Sequence, residues 1–246
     1  MVSVSVKADR LAQRAASIVD SSMRIAYIRH LLQRMDVVQV ADLIIVTKAN
    51  AEARNPTHSK LLLNLSLALA DQSCEHLRQA VAALLESRDQ HELARMLRRI
   101  PAVTDRENIR IPDFGLGRQV TLGERKALAR RNNREIIARA IRDPSASVIR
   151  VLLENPALTE SDVLKLCSQR PMAQEVLREV FHNWRWIVRY RVKMAIVLNP
   201  HTPLDIALQL IPHLKAQDKR RVVETPNLAK ELYESCQRNP SNRGIH

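Results

Sequence analysis

The sequence predicts an all-α protein, a helical bundle followed by an α-solenoid of stacked repeats, and three observations carry that expectation. Aliphatic residues supply the apolar content, with 31 Leu and 27 Ala against only seven aromatics. Leu, Ala and Arg lose little rotamer freedom in a helix, and the aromatic strand formers are scarce. Only four Gly occur in 246 residues, too few to turn the strands of a sandwich or barrel. Finally, the apolar residues recur at helical spacing and are punctuated by capping residues and prolines. At 46% hydrophobic content the chain has enough apolar surface to fold, which argues against disorder.

Residues 1–100 read as an N-terminal bundle. From Asp9 to Met35, Leu11, Ala15, Ile18, Ala26 and Leu32 fall near one stripe with arginines between them. Asp36 to Ala53 follows with Val37, Val40, Ile44 and Thr47 in register. Asn55-Pro56 stops that helix, because a residue before proline is pushed out of the α region. Further helices are expected over Ser59–Ala70, Ser73–Leu85 and Asp89–Arg99.

Residues 101–120 break the pattern and read as a linker, with Pro101, Pro112, Gly115 and Gly117 among charged residues. Phe114-Gly115-Leu116-Gly117 has neither the preceding strand nor the third glycine of a phosphate loop, so a turn that pins Phe114 to one side is the better account.

From Thr121 onward the punctuation becomes regular, and residues 121–246 read as the repeat domain. Thr121 and Glu124 form a capping box, and Thr159 and Asp162 a shorter version of it. Asp143-Pro144, Thr202-Pro203 and Thr225-Pro226 each place proline after a capping residue, where its fixed φ suits the first helical position. Short helices joined by tight turns follow from so many starts. Leu153-Glu154-Asn155-Pro156 recurs 44 residues later as Val197-Leu198-Asn199-Pro200, and apolar residues follow each copy at matching positions. Upstream, Ile137, Ala138 and Ile141 match Val176, Leu177 and Val180 at a spacing of 39, so the second copy holds about five extra residues near 181–186. A period of 39–44 falls in the range of helical repeats, in which each unit buries its apolar stripe against its neighbour.

Asn199-Pro200-His201-Thr202-Pro203-Leu204-Asp205-Ile206-Ala207-Leu208-Gln209-Leu210 resembles the variant leucine-rich repeat of bacterial proteins, and Asn155 to Leu166 is a poorer copy. The wider spacing is similar to that of HEAT-like repeats. The resemblance spans about 121–214 and implies a helical superhelix that binds a partner rather than one that runs a reaction. Relatives carrying an iron–sulfur centre place a cysteine cluster ahead of the repeats; this chain has none, which removes that role.

The chain carries 39 basic and 26 acidic residues, a formal net charge of +13. Such a surface attracts nucleic acid, anionic membrane or an acidic protein face. Thirty of the basic residues are Arg, so a merely solvated surface is the competing account. The most apolar stretch, Leu61 to Ala70, is half the length of a membrane span, and Met1 to Arg10 has no signal-peptide core. Cys74, Cys167 and Cys236 are isolated singletons, the pattern of a reduced, cytoplasmic protein. No His-x-x-x-His pair, Walker loop or hydrolase motif occurs, so neither a metal, a cofactor nor an enzymatic activity is expected. Asp143 beside Arg142 is the one carboxylate to consider for a DNA glycosylase-like groove, and a helix cap at Pro144 explains it better.

The segment Phe181–Lys193 holds four of the seven aromatics, four basic residues and no acid. If 184–198 is one helix, Trp184, Ile187, Val188, Ala195 and Leu198 form its core stripe. Trp186, Arg189, Tyr190 and Lys193 then lie opposite, as a basic-aromatic strip suited to a protein hot spot or to phosphates and unpaired bases. The other placement buries Trp186 and Tyr190 against a neighbouring repeat, with Arg189 snorkelling outward. A second basic cluster, Arg125, Lys126, Arg130, Arg131 and Arg134, continues the same surface if the repeats align. The function expected is that of a non-enzymatic adaptor or scaffold for an acidic protein partner, with nucleic-acid binding as the alternative.

Overall fold

The computed structural model describes residues 2–53, 55–98 and 110–237. Among them are sixteen α-helices and no strand, so the chain is all-helical. Much of the expected linker, 101–109, lies outside the described residues. The chain packs as two compact units, one of 1–100 together with 204–246 and one of 101–203.

The first unit opens with α1 (Val2–Ser17), α2 (Ser21–Leu32), α3 (Val37–Glu52) and α4 (Pro56–Leu69). The single stripe expected over 9–35 is broken in two because Asp20 caps α2, its carboxylate accepting the Met23 N–H at 2.8 Å. Leu11, Ala15 and Leu32 are buried as expected, whereas Ala26 is exposed. Asp36 caps α3 and Asn55 caps α4, with Pro56 at the first helical position. Every residue of α4 from Leu61 to Leu69 is buried, which is why that stretch is apolar on every face but for Asn64 and Ser66.

The first unit continues with α5 (Glu75–Ser87) and α6 (His91–Leu97), followed much later in the chain by α14 (Leu204–Leu210), α15 (Ala216–Glu224) and α16 (Lys230–Gln237). Gln209 donates to the Met96 carbonyl at 2.7 Å and Ser235 to Glu92 at 2.7 Å, joining α14 and α16 to α6. Residues 204–246 therefore group with the first hundred residues, where the sequence reading put the boundary of the second domain at 121–246. Ile206, Ala207, Leu208 and Leu210 are all buried, so α14 has no single core stripe from which its neighbours can be read.

The second unit contains α7 (Leu122–Ala129), α8 (Arg134–Ala140), α9 (Ala146–Leu153), α10 (Glu160–Cys167), α11 (Gln174–His182), α12 (Trp184–Ile187) and α13 (Tyr190–Val197). Both predicted capping boxes form, at Thr121/Glu124 and at Thr159/Asp162. Counted along the chain, α7, α8 and α9 make one triplet and α10, α11 and α13 a second, and the one-turn helix α12 (Trp184–Ile187) falls beside the extra residues expected near 181–186.

The recurring Asn-Pro closes each triplet in the same way. The Asn155 amide donates to the carbonyls of Ala129 at 2.8 Å and Arg131 at 3.0 Å, the end of α7, and its oxygen accepts the Ala157 N–H at 2.9 Å. Asn199 does the same at the end of α10, donating to Cys167 at 2.7 Å and Gln169 at 3.1 Å and accepting from His201 at 2.9 Å. A helix end leaves carbonyls without intrahelical partners, and a buried asparagine two residues past the third helix satisfies them.

The three Pro-marked starts fare differently. At Thr202-Pro203 the helix starts one residue late, at Leu204, and the Thr202 hydroxyl donates back to the Ile196 carbonyl at 2.5 Å. At Asp143-Pro144 the helix starts later, at Ala146, and at Thr225-Pro226 it waits until Lys230, with Asn227 turned into the left-handed region at φ 64°. Among the described residues no helix is long and apolar enough to cross a membrane.

Candidate functional site

The site expected on one continuous helix over 184–198 is instead built on two. Arg189 adopts an extended backbone between α12 and α13, with ψ at 125°. No proline or glycine explains the break. On an unbroken helix Ile187 would face away from Val192 and Ile196, and Trp186 away from Val192; the break turns all four inward, and all four are buried.

That rearrangement corrects the predicted faces. Trp186 is 1% exposed and its indole N–H donates to the Leu153 carbonyl at 2.9 Å, so it is a core residue and not an exposed anchor. Trp184, expected in the core, is only half-buried, and Val188 is exposed. Tyr190 and Lys193 are half-buried on the first turns of α13, and burial pushes the Lys193 ammonium below its usual pKa.

The indole nevertheless organises the basic residues above it. The Arg185 guanidinium lies 4.5 Å from the ring centroid of Trp186 and that of Arg189 lies 5.0 Å away. Stacking of this kind stabilises a planar cation by about 0.5–1 kcal/mol at exposed sites and fixes its orientation. Arg185 donates to the Asn155 carbonyl at 3.1 Å, and Arg189 pairs with Glu160 at 2.8 Å.

The second basic cluster reaches the same turn from the other side. Arg134 donates to the Ala157 carbonyl at 3.0 Å and grips Asp162 with two nitrogens, at 2.8 and 3.0 Å. Burial pushes the Asp162 carboxyl up, but the bonds from Arg134 and Thr159 outweigh it and hold the pKa below the ordinary value. Arg131 is joined to the turn by its carbonyl, through Asn155, while its side chain stays exposed, as does that of Arg130. Among the described residues neither Arg130 nor Arg131 has an ion-pair partner. The segment 153–162 thus gathers arginines from α8, α12 and the α12–α13 junction into one edge.

Arg125 does not belong to it. Its guanidinium is buried and holds both oxygens of Asp143, at 2.6 and 2.7 Å. Asp143 is fully buried and accepts the Ser145 N–H at 2.9 Å, so it braces the start of α9 and faces no groove. Phe114 is pinned as predicted: it is buried between exposed neighbours, and Gly115 and Gly117 take φ of 76° and 66°. The left-handed backbone at Gly115 is what calls for glycine there, since the Arg139 guanidinium that an added Cβ would meet is the free end of a flexible side chain.

Comparisons with protein-family models, with characterised proteins and with solved structures find no match. The site therefore stands on its own geometry. Sequence reasoning missed Arg185 and Glu160 as members of it. Its pairs, Arg134 with Asp162, Arg189 with Glu160 and Arg185 with Asn155, join residues 28 to 30 apart and carry no local signal in the sequence.

Chemically the edge presents planar cations in fixed orientations. Among the described residues no group of three His, Cys, Asp or Glu side chains stands close enough to hold a metal ion. The edge is suited to taking up carboxylate or phosphate oxygens.

Proposed function

We propose that the chain is a non-catalytic helical-repeat adaptor of the HEAT-like or variant leucine-rich kind, which docks an acidic protein partner on the arginine edge around 153–162. The observation that supports it is the convergence of two sequence-distant basic clusters on one turn. There Arg134, Arg185 and Arg189 are oriented by backbone carbonyls, carboxylates and an indole face before any partner arrives. Pre-ordered side chains lose less freedom on binding, so more of the contact energy appears as affinity. Three buried cysteines without disulfides accord with a reduced, cytoplasmic setting.

Nucleic-acid binding is the second reading, favoured by the same convergence and the net charge of +13. Against it, Trp186 is buried and offers no free face for base stacking, and two of the edge's arginines already take carboxylates.

Titrating the full chain with a polyglutamate peptide and with single- and double-stranded oligonucleotides, between about 50 and about 300 mM salt, separates the two. An acidic-protein surface predicts peptide binding that is lost on Arg131→Glu/Arg185→Glu. Tight oligonucleotide binding with a steep salt slope, lost in the same variant, transfers the edge to nucleic acid. Peptide affinity unchanged in that variant removes the edge from the binding surface.

A further inference from the structure

We infer that Glu160 is a built-in stand-in for the partner's carboxylate and that the Arg185–Trp186–Arg189 stack is the seat which that carboxylate takes. The inference rests on the docking reading above and names the chemistry at its centre. The partner is a protein segment rich in Asp or Glu, and Arg189 exchanges Glu160 for one of its carboxylates on docking.

Three features of Glu160 point this way. It is the first residue of α10, yet the capping of that helix is done by Thr159 and Asp162, so Glu160 has no part in the box. Among the described residues its one hydrogen-bonded contact is with Arg189. Its side chain is 28% exposed and that of Arg189 is 42% exposed, so water and a ligand reach both. The Arg134–Asp162 pair beside it is built differently. Asp162 is 4% exposed and also accepts the Thr159 backbone N–H, so it cannot leave without opening the helix start. One pair is structural and the other is exchangeable.

The seat remains in place when Glu160 swings away. Arg189 keeps its place over the indole and its Nε lies 3.4 Å from the Arg185 carbonyl. Arg185 is stacked on the same ring, is held by the Asn155 carbonyl, and among the described residues has no carboxylate partner. The result is two guanidiniums on one aromatic ring, one of them already loaded with a carboxylate. Carboxylate replaces carboxylate in such an exchange, so Arg189 is never left without a counter-charge.

The test uses the full chain, a short labelled polyglutamate peptide followed by anisotropy, and the emission of Trp184 and Trp186 as a report from the seat itself. Glu160→Gln releases Arg189 and is expected to bind the peptide about two- to fivefold more tightly, the scale of one exposed ion pair. Glu154→Gln makes the same charge change on the same turn without freeing an arginine, because Glu154 accepts from Asn183. It is expected to tighten binding by less than Glu160→Gln does. Thermal midpoints of both variants within a few degrees of the parent verify that the fold is kept.

If Arg185→Glu abolishes binding but Glu160→Gln leaves it unchanged or weaker, the exchange is wrong and the docking surface stands. Equal gains from Glu160→Gln and Glu154→Gln reduce the effect to long-range charge and also overturn the exchange. If Arg185→Glu leaves the affinity untouched, the docking reading fails and takes this inference with it. A larger gain for an oligonucleotide than for the peptide assigns the seat to phosphate and overturns the carboxylate assignment.

Discussion

Replacing Asn199 tests the closure of the second triplet directly. The side chain is 2% exposed and makes three hydrogen bonds, two donated to the Cys167 and Gln169 carbonyls and one accepted from the His201 N–H. At about 1 kcal/mol net for each, Asn199→Ala is expected to cost about 3 kcal/mol, because a carbonyl at the buried end of α10 is left without a partner. Asn199→Asp is the sharper probe. It keeps the oxygen that accepts from His201 but turns a second, anionic oxygen towards two carbonyl oxygens. At neutral pH it should therefore be worse than alanine, by about 1 kcal/mol or more. The sign of its pH dependence also follows. A carboxyl whose ionised form is disfavoured in the fold has a raised pKa, so the deficit should shrink as pH falls and the neutral acid regains one donor. Urea unfolding followed by tryptophan emission suits the measurement, since Trp184 and Trp186 both lie in the 101–203 unit and report on it alone. An alanine variant within about 1 kcal/mol of the parent, or an aspartate variant no worse than alanine at neutral pH, would refute the closure argument.

Asp162 has a carboxyl held below its ordinary value of 3.8, so the stability it contributes is complete above that value and is lost as pH falls through the folded pKa. Asp162→Asn should flatten the unfolding free energy between about pH 5 and about pH 2.5 while lowering stability at pH 7, as measured by urea titrations across that range. Arg125→Ala strands the fully buried Asp143 and should destabilise the unit by about 3–5 kcal/mol, whereas an Arg125→Met/Asp143→Leu pair should recover most of that loss in the same unfolding assay. Cys167 is buried and its thiol is pushed up to about 12 by desolvation, so at pH 8 it should react with a disulfide reagent only as fast as its unit opens. Labelling at the rate of an unfolded control would show that α10 is not packed as described.

Much of the fold was written locally in the chain. The capping boxes at Thr121 and Thr159, the cap at Asp36 and the Asn55-Pro56 start depend on residues within four positions of one another, and all of them form. The Asn155 and Asn199 repeat was visible as turn chemistry, but its meaning was not. What an asparagine amide reaches 24 to 32 residues back along the chain is a tertiary fact. The break at Arg189 left no local mark, because it is imposed by the need to bury Trp186, Ile187, Val192 and Ile196 together. For the same reason the strip that placed Trp186 beside Arg189 on an exposed face did not form, and Arg185, stacked on the same ring, was not part of it. Arg125 looked like one more cation in a basic run, and only the approach of Asp143 from 18 residues away turned it into a core residue. The grouping of α14 and α16 with the first hundred residues rests on contacts such as Gln209 to Met96, which no periodicity encodes.

The asparagine closure also bears on how such a chain can change its length. Each tie runs from the end of a triplet back to the end of that triplet's own first helix, so its partners are all copied or lost along with it. A duplication of some forty residues would bring a ready-made closure with it. An insertion that leaves the two tied ends in place, as α12 does between α11 and α13, would disturb neither. In this architecture the segment between the second and third helices of a triplet is open to innovation. In this chain that segment is also the one that carries the paired arginines and the ring beneath them.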